Sequence, residues 1–390
     1  MGERILVFSS REICYNSNSF FANQLATAFE KIGYETDLCE FTKEDDLDKV
    51  LSPLYGRQYK LKVDFNSLMT RMVEEDGTPV LDLIGGPFYD YILDHPLFHY
   101  NGLTAKVSDF HAILLDEAQQ RYVDKYYSNV KSTLMMPLGA TEALTHEKIE
   151  KVPKRILFMG TYDKPEKLYE MVQLSPEPLQ SYMKKLIEMR LEDAQLPQEE
   201  AFAKLLEEEE MELPEDKFAL FMNAMYPVDA YIRDYYRKEA LDTLIRANIP
   251  VCLVGEGWEK YNSPNESCVT REKGVVFSLS FEKIAREHIL LNSSPIFNRG
   301  AHDRIYAGMA NRCVVMTDTN PYLRREMQDG KELCLYSLKE KQSVKDVAEE
   351  LLCNPSKCKN IQEYAYESFC AKHTWEQRAK QLIKHVEQGV

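Results

Sequence analysis

The sequence lacks the features that mark several large classes of protein. Its 48 Lys and Arg face 63 Asp and Glu, which gives a formal net charge of −15. General nucleic-acid binding needs a basic face that neutralises phosphates, so this balance argues against that class. No window approaches the roughly 18 consecutive apolar residues of a membrane-spanning helix. We therefore expect no nucleic-acid partner and no membrane span.

The N-terminus and the cysteines point neither to secretion nor to a metal site. The first ten residues hold one arginine and a short apolar stretch, whereas a signal peptide has a longer apolar region, so none is predicted. The nine cysteines are odd in number and scattered. Cys353 and Cys358 lack a matching pair elsewhere, which argues against zinc. Reduced thiols in a cytoplasmic protein are the simplest interpretation.

Two familiar phosphate-binding motifs are also missing, the Gly-x-Gly-x-x-Gly fingerprint and the Gly-Lys-Ser/Thr P-loop. The sequence instead has one opening pattern twice: residues 4–8 and 154–160 are short apolar runs that follow a charge. After the first run, helical spacing over 19–33 ends at Gly33, and 34–41 predicts a second strand. Continuous apolar strands of this kind predict parallel sheets covered by helices on both faces.

The remaining apolar runs predict more strands in each half, at 79–84, 111–115, 133–136, 250–255, 274–277, 288–292, 312–318 and 333–336. We predict an N-terminal Rossmann-like domain (1–145), a linker within 137–153, a C-terminal Rossmann-like domain (154–372) and a final helical segment (373–390). The C-terminal domain includes a mostly helical segment at about 174–247. Two such α/β domains make a cleft, and ligands bind beyond the carboxyl ends of the strands.

The acidic charge is concentrated in one place. Residues 191–216 hold eleven Asp or Glu and one Lys, so this segment carries −10 of the net −15. We interpret it as a solvated helix face or a mobile segment. The rest of the chain is close to neutral, so the overall charge does not argue against a nucleotide diphosphate in a cleft.

Two loops carry candidate side chains at predicted strand ends. In the first half, Asp94 and His95 precede a proline, and a histidine beside an aspartate can act as a general base or bind a hydroxyl. In the second half, Gly255 and Gly257 follow a strand and would let a ligand approach the backbone. Trp258 would stack on a base or cover the domain edge. Small polar residues over 9–19 form a further anion or hydroxyl site, or simply cap the following helix.

The loop over 291–304 is the most informative. It places Arg299, His302 and Arg304 at the start of a helix, where the helix dipole and two guanidinium groups together favour a diphosphate. An ion pair with Asp303 that stiffens the loop is the alternative. In the preceding helical segment, arginines 233 and 237 share one face. They either reach the cleft or pair with neighbouring acidic side chains.

These stretches resemble the GT-B glycosyltransferases, most closely the CgeB-like (spore maturation protein) group. The resemblance covers 154–385 well and 1–140 loosely, and it rests on residues 94–96, 156–160, 233–237, 254–258, 291–292, 302–318, 329–330 and 373–375. It implies two Rossmann-like domains facing across a cleft, with a nucleotide-diphosphate sugar in the second and an unknown acceptor in the first. The last helix would pack back on the first domain, and neither metal nor cofactor would be needed.

The resemblance also assigns roles to residues. The catalytic groups would be Asp94, His95 and Arg304. The donor would be bound by Arg233, Arg237, Gly255, Gly257, Trp258, Asn292, Arg299, His302, Asp303, Arg304, Thr317 and Asp318. Many related retaining enzymes carry two glutamates where this chain has Arg299 and Ala307, so Asp303 or Asp318 would substitute as the carboxylate for the ribose hydroxyls.

The sequence therefore predicts a metal-independent glycosyltransferase of hexosyltransferase type in the cytoplasm. A base from the first domain would deprotonate the acceptor if the reaction inverts, and the donor phosphate would do so if it retains. The alternative is a catalytically degenerate GT-B scaffold that binds a nucleotide sugar or carbohydrate without turnover, which Ala307 favours. A GT-B sugar epimerase is a third hypothesis, without a positive motif.

Overall fold

The computed structural model describes residues 4–10, 16–144 and 151–389. Residues 11–15 of the loop over 9–19 and residues 145–150 of the predicted linker lie outside the described residues, as do the first three residues and the last. The linker stretch also contains the predicted boundary of the first domain at residue 145.

The N-terminal domain is built on six parallel strands in the order β2-β1-β3-β4-β5-β6. Its elements are β1 (Arg4–Ser10), α1 (Ser17–Lys31), β2 (Glu35–Phe41), α2 (Leu47–Leu51), β3 (Leu61–Phe65), β4 (Phe88–Tyr91), α3 (Tyr100–Leu103), β5 (Phe110–Leu114), α4 (Glu117–Tyr126) and β6 (Ser132–Met135). As predicted, Gly33 ends the first helix: its φ of 101° is a left-handed conformation that favours glycine.

The C-terminal domain has a second parallel sheet in the order β12-β11-β10-β7-β8-β9. Its elements are β7 (Val152–Met159), α5 (Pro165–Gln173), α6 (Leu179–Glu192), α7 (Gln198–Glu208), α8 (Glu215–Ala224), α9 (Tyr226–Arg246), β8 (Val251–Val254), β9 (Val269–Glu272), α10 (Phe277–Ala285), β10 (Glu287–Leu291), α11 (Asp303–Ala310), β11 (Val314–Asp318), α12 (Pro321–Glu326), β12 (Cys334–Tyr336), α13 (Gln342–Cys353) and α14 (Pro355–Lys372). The α/β architecture with two parallel sheets is the predicted one.

Two strand predictions are wrong. Residues 79–84 form a 3-10 turn, Val80–Leu83, whereas the strands of this region are β3 and β4. β3 is not recognisable as an apolar run because it contains two charged residues, Lys62 and Asp64. Both are fully buried within the strand. The Lys62 ammonium is satisfied by the backbone carbonyls of Leu81 and Ile84. The 3-10 turn that was predicted to be a strand therefore supplies the hydrogen-bond acceptors for Lys62 of β3, the strand that was not predicted.

Residues 274–277 are the second error. The strand is β9, which begins five residues earlier, and α10 begins at Phe277. The sequence of β9, Val-Thr-Arg-Glu, is polar because it is the edge strand and is only partly buried. An edge strand needs apolar side chains less than a central one does, so apolar content does not identify it.

The acidic helical segment differs from the expectation of a solvated or mobile segment. Its helices α7 and α8 pack against α4 of the N-terminal domain, where the rings of Phe218 and Tyr126 stack at 4.0 Å. Glu199 is 6% exposed. Most of its acidic side chains are nevertheless exposed to solvent, as expected: Glu192, Asp193, Glu207, Glu208, Glu210, Glu212, Glu215 and Asp216. The segment thus bridges the two domains.

The final helix, α15 (Trp375–Glu387), packs back on the first domain as predicted. Trp375 and Leu382 lie in the same apolar cluster as Val7 and Phe65 of β1 and β3. The crossing is fixed where the backbone N–H of Ala140 donates to the carbonyl of His373 at 2.9 Å. No helix in the described part of the chain is long and apolar enough to cross a membrane.

Candidate functional site

A pocket opens beyond the carboxyl ends of β7 and β8, with α10 and the start of α11 as its walls. It encloses about 760 Å³ including its open mouth. Its lining is mostly small or apolar, with charged groups only at α11: Met159, Gly160, Thr161, Val254, Gly255, Gly274, Val275, Phe277, Ser280, Phe281, Ile284, His302, Asp303, Arg304 and Ala307. This position is where α/β sheets bind ligands.

Glycines shape the floor of the pocket. Gly255 lines it, and a Cβ there would lie 2.2 Å from the Gly160 carbonyl oxygen, so no other residue fits without moving the backbone. Gly257, also a predicted ligand contact, lies beneath the pocket instead, with its hypothetical Cβ 2.1 Å from the carbonyl of Tyr162. The sequence predicted that a ligand would approach the backbone of Gly255 and Gly257. In the structure the close approach is made by the backbone of the loop at Gly160 and Tyr162.

The proposed stacking of Trp258 on a base is wrong. Its side chain is 1% exposed, and its ring stacks on Tyr162 at 4.9 Å. The indole Nε1 donates a hydrogen bond to the Gly160 carbonyl at 2.7 Å. Since the ring is enclosed by protein, Trp258 cannot meet a ligand. It fixes Gly160, which does line the pocket.

Three arginines come together beside the pocket: Arg233 and Arg237 from α9 and Arg304 from α11. Burial first, and then the neighbouring Arg233 charge, lowers the pKa of Arg237. Burial also lowers the pKa of Arg304, and Arg233 adds to that effect. Asp234 lies 3.1 Å from Arg233 and 3.6 Å from Arg237, so part of the predicted ion pairing is present. Other carboxylates also act on the cluster, Asp229 and Asp94 on Arg233 and Asp303 and Asp318 on Arg304, yet the pKa values of Arg237 and Arg304 stay below the usual range.

The cluster also has unused hydrogen-bonding capacity. Arg237 is 8% exposed, and its Nε has no partner among the described residues. The Phe158 ring, at the end of β7, supports two of the guanidinium groups, with Arg237 6.0 Å and Arg304 5.8 Å from its centroid. Phe158 was not singled out from the sequence as a support of charge, because a buried aromatic in a strand has no distinguishing pattern. A buried and incompletely paired guanidinium group favours an anionic ligand.

Loop residues after β10 and β11 hold Arg304 in place. The Arg304 guanidinium donates to the Asn292 side-chain carbonyl at 2.8 Å, and the Asn292 amide donates to Thr317 Oγ1 at 2.9 Å. Asp318 accepts from the backbone N–H of Ser294 at 2.7 Å, and burial raises the pKa of this carboxyl to about 6. Asn292, Thr317 and Asp318 were predicted to bind the donor. Their contacts are with the protein, and they support the arginine.

His302 and Asp303 begin α11 and line the pocket. Burial and the Arg304 charge lower the pKa of His302, and Asp303 acts against them. The ring Nδ1 lies 3.2 Å from the Arg304 backbone nitrogen and also contacts the Asp303 carboxylate. Burial acts to raise the pKa of Asp303, but His302 and Arg304 lower it to about 2. Asp303 is therefore ionised at neutral pH. Ala307, one helical turn later, lines the same pocket.

Arg299 lies outside the arginine cluster. Its backbone docks on the N-terminal domain, where its N–H donates to Asp116 Oδ2 at 2.6 Å and its carbonyl accepts from the Glu117 N–H at 3.1 Å. Within the described ranges, its guanidinium forms no hydrogen bond or ion pair. The structure thus does not bring Arg299 together with Arg304 as the sequence predicted.

The two residues predicted as candidate catalytic bases, Asp94 and His95, lie in different environments. His95 is 3% exposed, its Nδ1 accepts from the Leu97 N–H at 3.0 Å, and its Nε2 lies 3.2 Å from Glu199. Both ring nitrogens are occupied and the ring is buried, which argues against His95 as the base.

Asp94, in contrast, is exposed and accepts a hydrogen bond from the Asn66 side chain at 3.2 Å. Burial acts to lower the pKa of Arg233, but neighbouring carboxylates, Asp94 among them, raise it overall. The charge of Asp94 therefore reaches from the N-terminal domain to α9. Of the two residues, Asp94 is the one that faces the arginine cluster.

In the described ranges, no group of three or more His, Cys, Asp or Glu side chains is placed to hold a metal ion. The wall formed by α10 was missed in the sequence, where 274–277 was taken as a strand. Two of its rings, Phe277 and Phe281, line the pocket and also contact Phe20 of α1, at 5.3 and 5.2 Å between centroids. The pocket wall is therefore also a contact between the domains.

Comparisons with known proteins agree with this geometry. Residues 235–384, which include Arg237, Arg304 and most of the second sheet, match a family described as "Glycosyl transferase-like". The sequence search against curated proteins finds no relative.

Solved structures share the fold over nearly the whole chain. A sucrose-phosphate synthase from Thermosynechococcus elongatus matches with a TM-score of 0.56, 12% identity and coverage of 99% of this chain and 98% of the other. Anabaena HepE in complex with UDP-glucose matches with a TM-score of 0.55, 10% identity, and 99% and 100% coverage. An alpha-glucosyltransferase bound to UDP and a 13-mer DNA gives 0.56, 12%, and 98% of both chains. The chain therefore has the GT-B glycosyltransferase fold, and its residues 235–384 carry the sequence pattern of the glycosyl transferase-like family.

Proposed function

We propose that this protein is a glycosyltransferase that moves a sugar from a nucleoside diphosphate sugar to an acceptor hydroxyl. The observation that carries the proposal is the cluster of Arg233, Arg237 and Arg304, which lies beside a ligand-sized pocket at the carboxyl ends of β7 and β8. In a GT-B fold this is the side of the cleft formed by the C-terminal domain.

The donor would divide between the pocket and the cluster. The apolar pocket, with Gly160, Gly255 and the rings of α10, suits a nucleoside, and the guanidinium groups suit its diphosphate. During transfer the bond between the sugar and the phosphate oxygen breaks, and its electron pair stays on the diphosphate. Arg304 and Arg237 would stabilise that developing charge. No metal ion enters this scheme, and the donor is the only small molecule it needs besides the acceptor.

The ribose would be held by Asp303. Its carboxylate is ionised, it lines the pocket, and it lies one helical turn before Ala307, the position that carries a glutamate in related retaining enzymes. Asp318 is the weaker candidate, because its carboxylate already accepts the Ser294 N–H. An ionised carboxylate is a good acceptor for two sugar hydroxyls.

The acceptor would lie against the N-terminal domain, with Asp94 nearest the reaction. This carboxylate is exposed, and its charge acts on Arg233 across the cleft. Its role would be to orient the acceptor hydroxyl and to take its proton.

We also place the protein in the CgeB-like group and in the cytoplasm. The support for the group is the set of matching stretches from 291 to 318 and at 94–96. The support for the compartment is the absence of disulfides among the eight cysteines that the structure describes, all of which are free thiols.

A nucleotide panel tests the donor class. UDP, GDP, dTDP, CMP and ADP sugars are added to the protein, and the thermal midpoint is followed. A ligand that binds only the native state stabilises it, so one responding nucleotide fixes the class. Binding without hydrolysis or transfer in any acceptor screen would favour the catalytically degenerate scaffold.

Arg304→Ala tests the assignment of the arginine. We expect donor hydrolysis or transfer to fall by roughly 10²–10³-fold, because a charged contact to the leaving group is lost. Arg324→Ala is the control, since this exposed side chain on α12 bonds only to Thr319 among the residues that the structure describes. Near-normal turnover in a folded Arg304→Ala protein would refute the role.

A further inference from the structure

The loop between β10 and α11, residues 293–302, connects the arginine cluster to the N-terminal domain; we call it the donor loop. It begins after Asn292, which holds Arg304, and it ends at His302, the N-cap of α11. Any displacement of the loop therefore moves the start of α11 and the guanidinium of Arg304.

Asp116 of the N-terminal domain binds the middle of this loop. The side chain is 1% exposed. Its Oδ2 accepts the Arg299 backbone N–H at 2.6 Å, while its Oδ1 caps α4 by accepting from Ala118 at 2.7 Å and Gln119 at 3.2 Å. A single carboxylate thus joins the start of a helix in one domain to the backbone of a loop in the other.

The approach is close enough to require glycine at position 300. A Cβ there would lie 2.2 Å from the Leu115 carbonyl oxygen and 2.7 Å from the Asp116 Cα. Residues 116 and 300 pair as an isolated antiparallel bridge. Since backbone contacts backbone, the loop cannot shift toward this domain and can move only away from it.

Other contacts fix the rest of the donor loop from the side of the C-terminal domain. The fully buried Arg190 donates to the Pro295 carbonyl at 3.0 Å. The Asn320 side chain donates to the carbonyls of Phe297 and Gly300, at 2.7 and 2.9 Å. The loop is thus held from both domains. On the N-terminal side, the Glu117 N–H on the Arg299 carbonyl (3.1 Å) and the Gln119 amide on the Ile296 carbonyl (3.4 Å) accompany Asp116, which is the ionisable contact.

Burial raises the pKa of Asp116 to about 6, the Arg299 N–H opposes this shift, and the Glu199 charge adds to it. Among the described residues, the groups that act on this carboxyl are the backbone N–H donors of Arg299, Gln119 and Ala118 and the like charge of Glu199. Its position is therefore maintained by hydrogen bonds to both domains.

We propose that Asp116 is a positioning residue for the donor site: by docking the donor loop on the N-terminal domain, it sets the place of α11 and hence the affinity for the donor diphosphate. The inference rests on the proposed function for the identity of the ligand. The docking itself rests only on the contacts of Asp116 and Gly300.

The experiment compares three variants with the native protein. Asp116→Asn keeps the size of the side chain but replaces one acceptor oxygen with a donor, so it can cap α4 or hold Arg299 but not both. Gly300→Ala breaks the same docking by sterics. Asp124→Asn is the matched control, because it makes the same chemical change at an exposed position of α4.

Two quantities are measured, the amide hydrogen exchange of peptides spanning 293–305 and the dissociation constant of UDP. We expect Asp116→Asn and Gly300→Ala to exchange at least fivefold faster in these peptides and to bind UDP about tenfold more weakly. Asp124→Asn should match the native protein in both. In UDP-glucose hydrolysis, the two docking variants should raise KM more than they lower kcat.

The outcomes separate the two proposals. Unchanged exchange in both docking variants would overturn the docking, and faster exchange with an unchanged UDP dissociation constant would overturn the positioning role. A native protein that binds none of the nucleotides of the panel, together with faster exchange in the variants, would refute the proposed function and leave the docking standing.

Discussion

At the scale of single residues, the molecule buries charge in two opposite ways. At the pocket, the guanidinium groups of Arg237 and Arg304 are buried with lowered pKa values and the Arg237 Nε has no partner among the described residues, which suits an anionic ligand. In the N-terminal sheet, Asp64 and Asp90 lie side by side on β3 and β4 and are fully buried. Burial raises the pKa of Asp90 to about 6 and that of Asp64 well above its usual value. Their oxygens accept from the backbone N–H groups of Ser67 and Met69, which offsets part of the cost of burying them.

These carboxyls predict a dependence of stability on pH. A carboxyl with a raised native pKa binds its proton more tightly when folded, so the native state gains stability as pH falls through about 6 toward the unfolded value near 4. Buried histidines with lowered pKa values, such as His99 (about 4) and His373 (about 3), act in the opposite direction over the same range. The carboxyl contribution is therefore measured against a variant: relative to the native protein, Asp90→Asn should lose stability as pH falls from 8 to 5.5, whereas Asp124→Asn should not. A constant difference between the Asp90→Asn and native midpoints over this range would contradict the assignment.

At the scale of elements, the helices α7 and α8 show how far composition misleads. Their acidic residues predicted a solvated face, and the exposed end of α7 has one. The opposite face follows helical spacing, with Phe202 and Phe218 buried between the domains. The interdomain contact thus lies on the apolar positions of a segment whose charge dominates its composition.

Phe218→Ala tests this packing. The ring is 3% exposed and stacks on Tyr126, so we expect the free energy of unfolding to fall by about 3–5 kcal/mol. Leu220→Ala, on the exposed side of the same helix, should cost less than about 0.5 kcal/mol. Both values come from urea denaturation. Equal effects would mean that the helix does not pack as described.

At the scale of the whole molecule, the chain leaves the N-terminal domain after β6 and returns to it with α15, and this return closes the structure. Trp375 lies against Gly139, where a Cβ would be 2.6 Å from its ring, and its indole donates to Thr141 Oγ1 at 3.2 Å. The C-terminal helix therefore packs against residues 139–141, which lead out of the first domain, and holds them in place.

Trp375→Ala should weaken the packing of α15 on the first domain. We expect a loss of about 3–5 kcal/mol in unfolding free energy, because a 4% exposed indole is removed from the shared core. A larger radius of gyration in small-angle scattering would accompany it if the domains separate. Tyr364→Ala, on an exposed part of α14, is the control. An unchanged midpoint would show that the helix contributes little to the domain arrangement.

Parts of the site were accessible from the sequence and parts were not. Arg304 and Asp303 follow a strand and begin a helix, a position that local pattern identifies, and the structure places both at the pocket. Trp258 and His95 carry the same kind of local signal, yet both are buried among protein groups. Local pattern gives the loop on which a residue lies but not the direction in which its side chain points.

The sequence by itself determined the two parallel sheets, the final helix and the loop that begins α11, because strand apolarity, helical period and capping are local properties. That the final helix packs back on the first domain was implied by the family resemblance. It did not determine β3, whose charged residues are satisfied by a turn distant in sequence, or the gathering of three arginines from two helices. The tertiary structure alone decided that Arg299 docks on Asp116 while Arg304 meets Arg237. Such pairs depend on long-range packing between domains, which no spacing along the chain encodes.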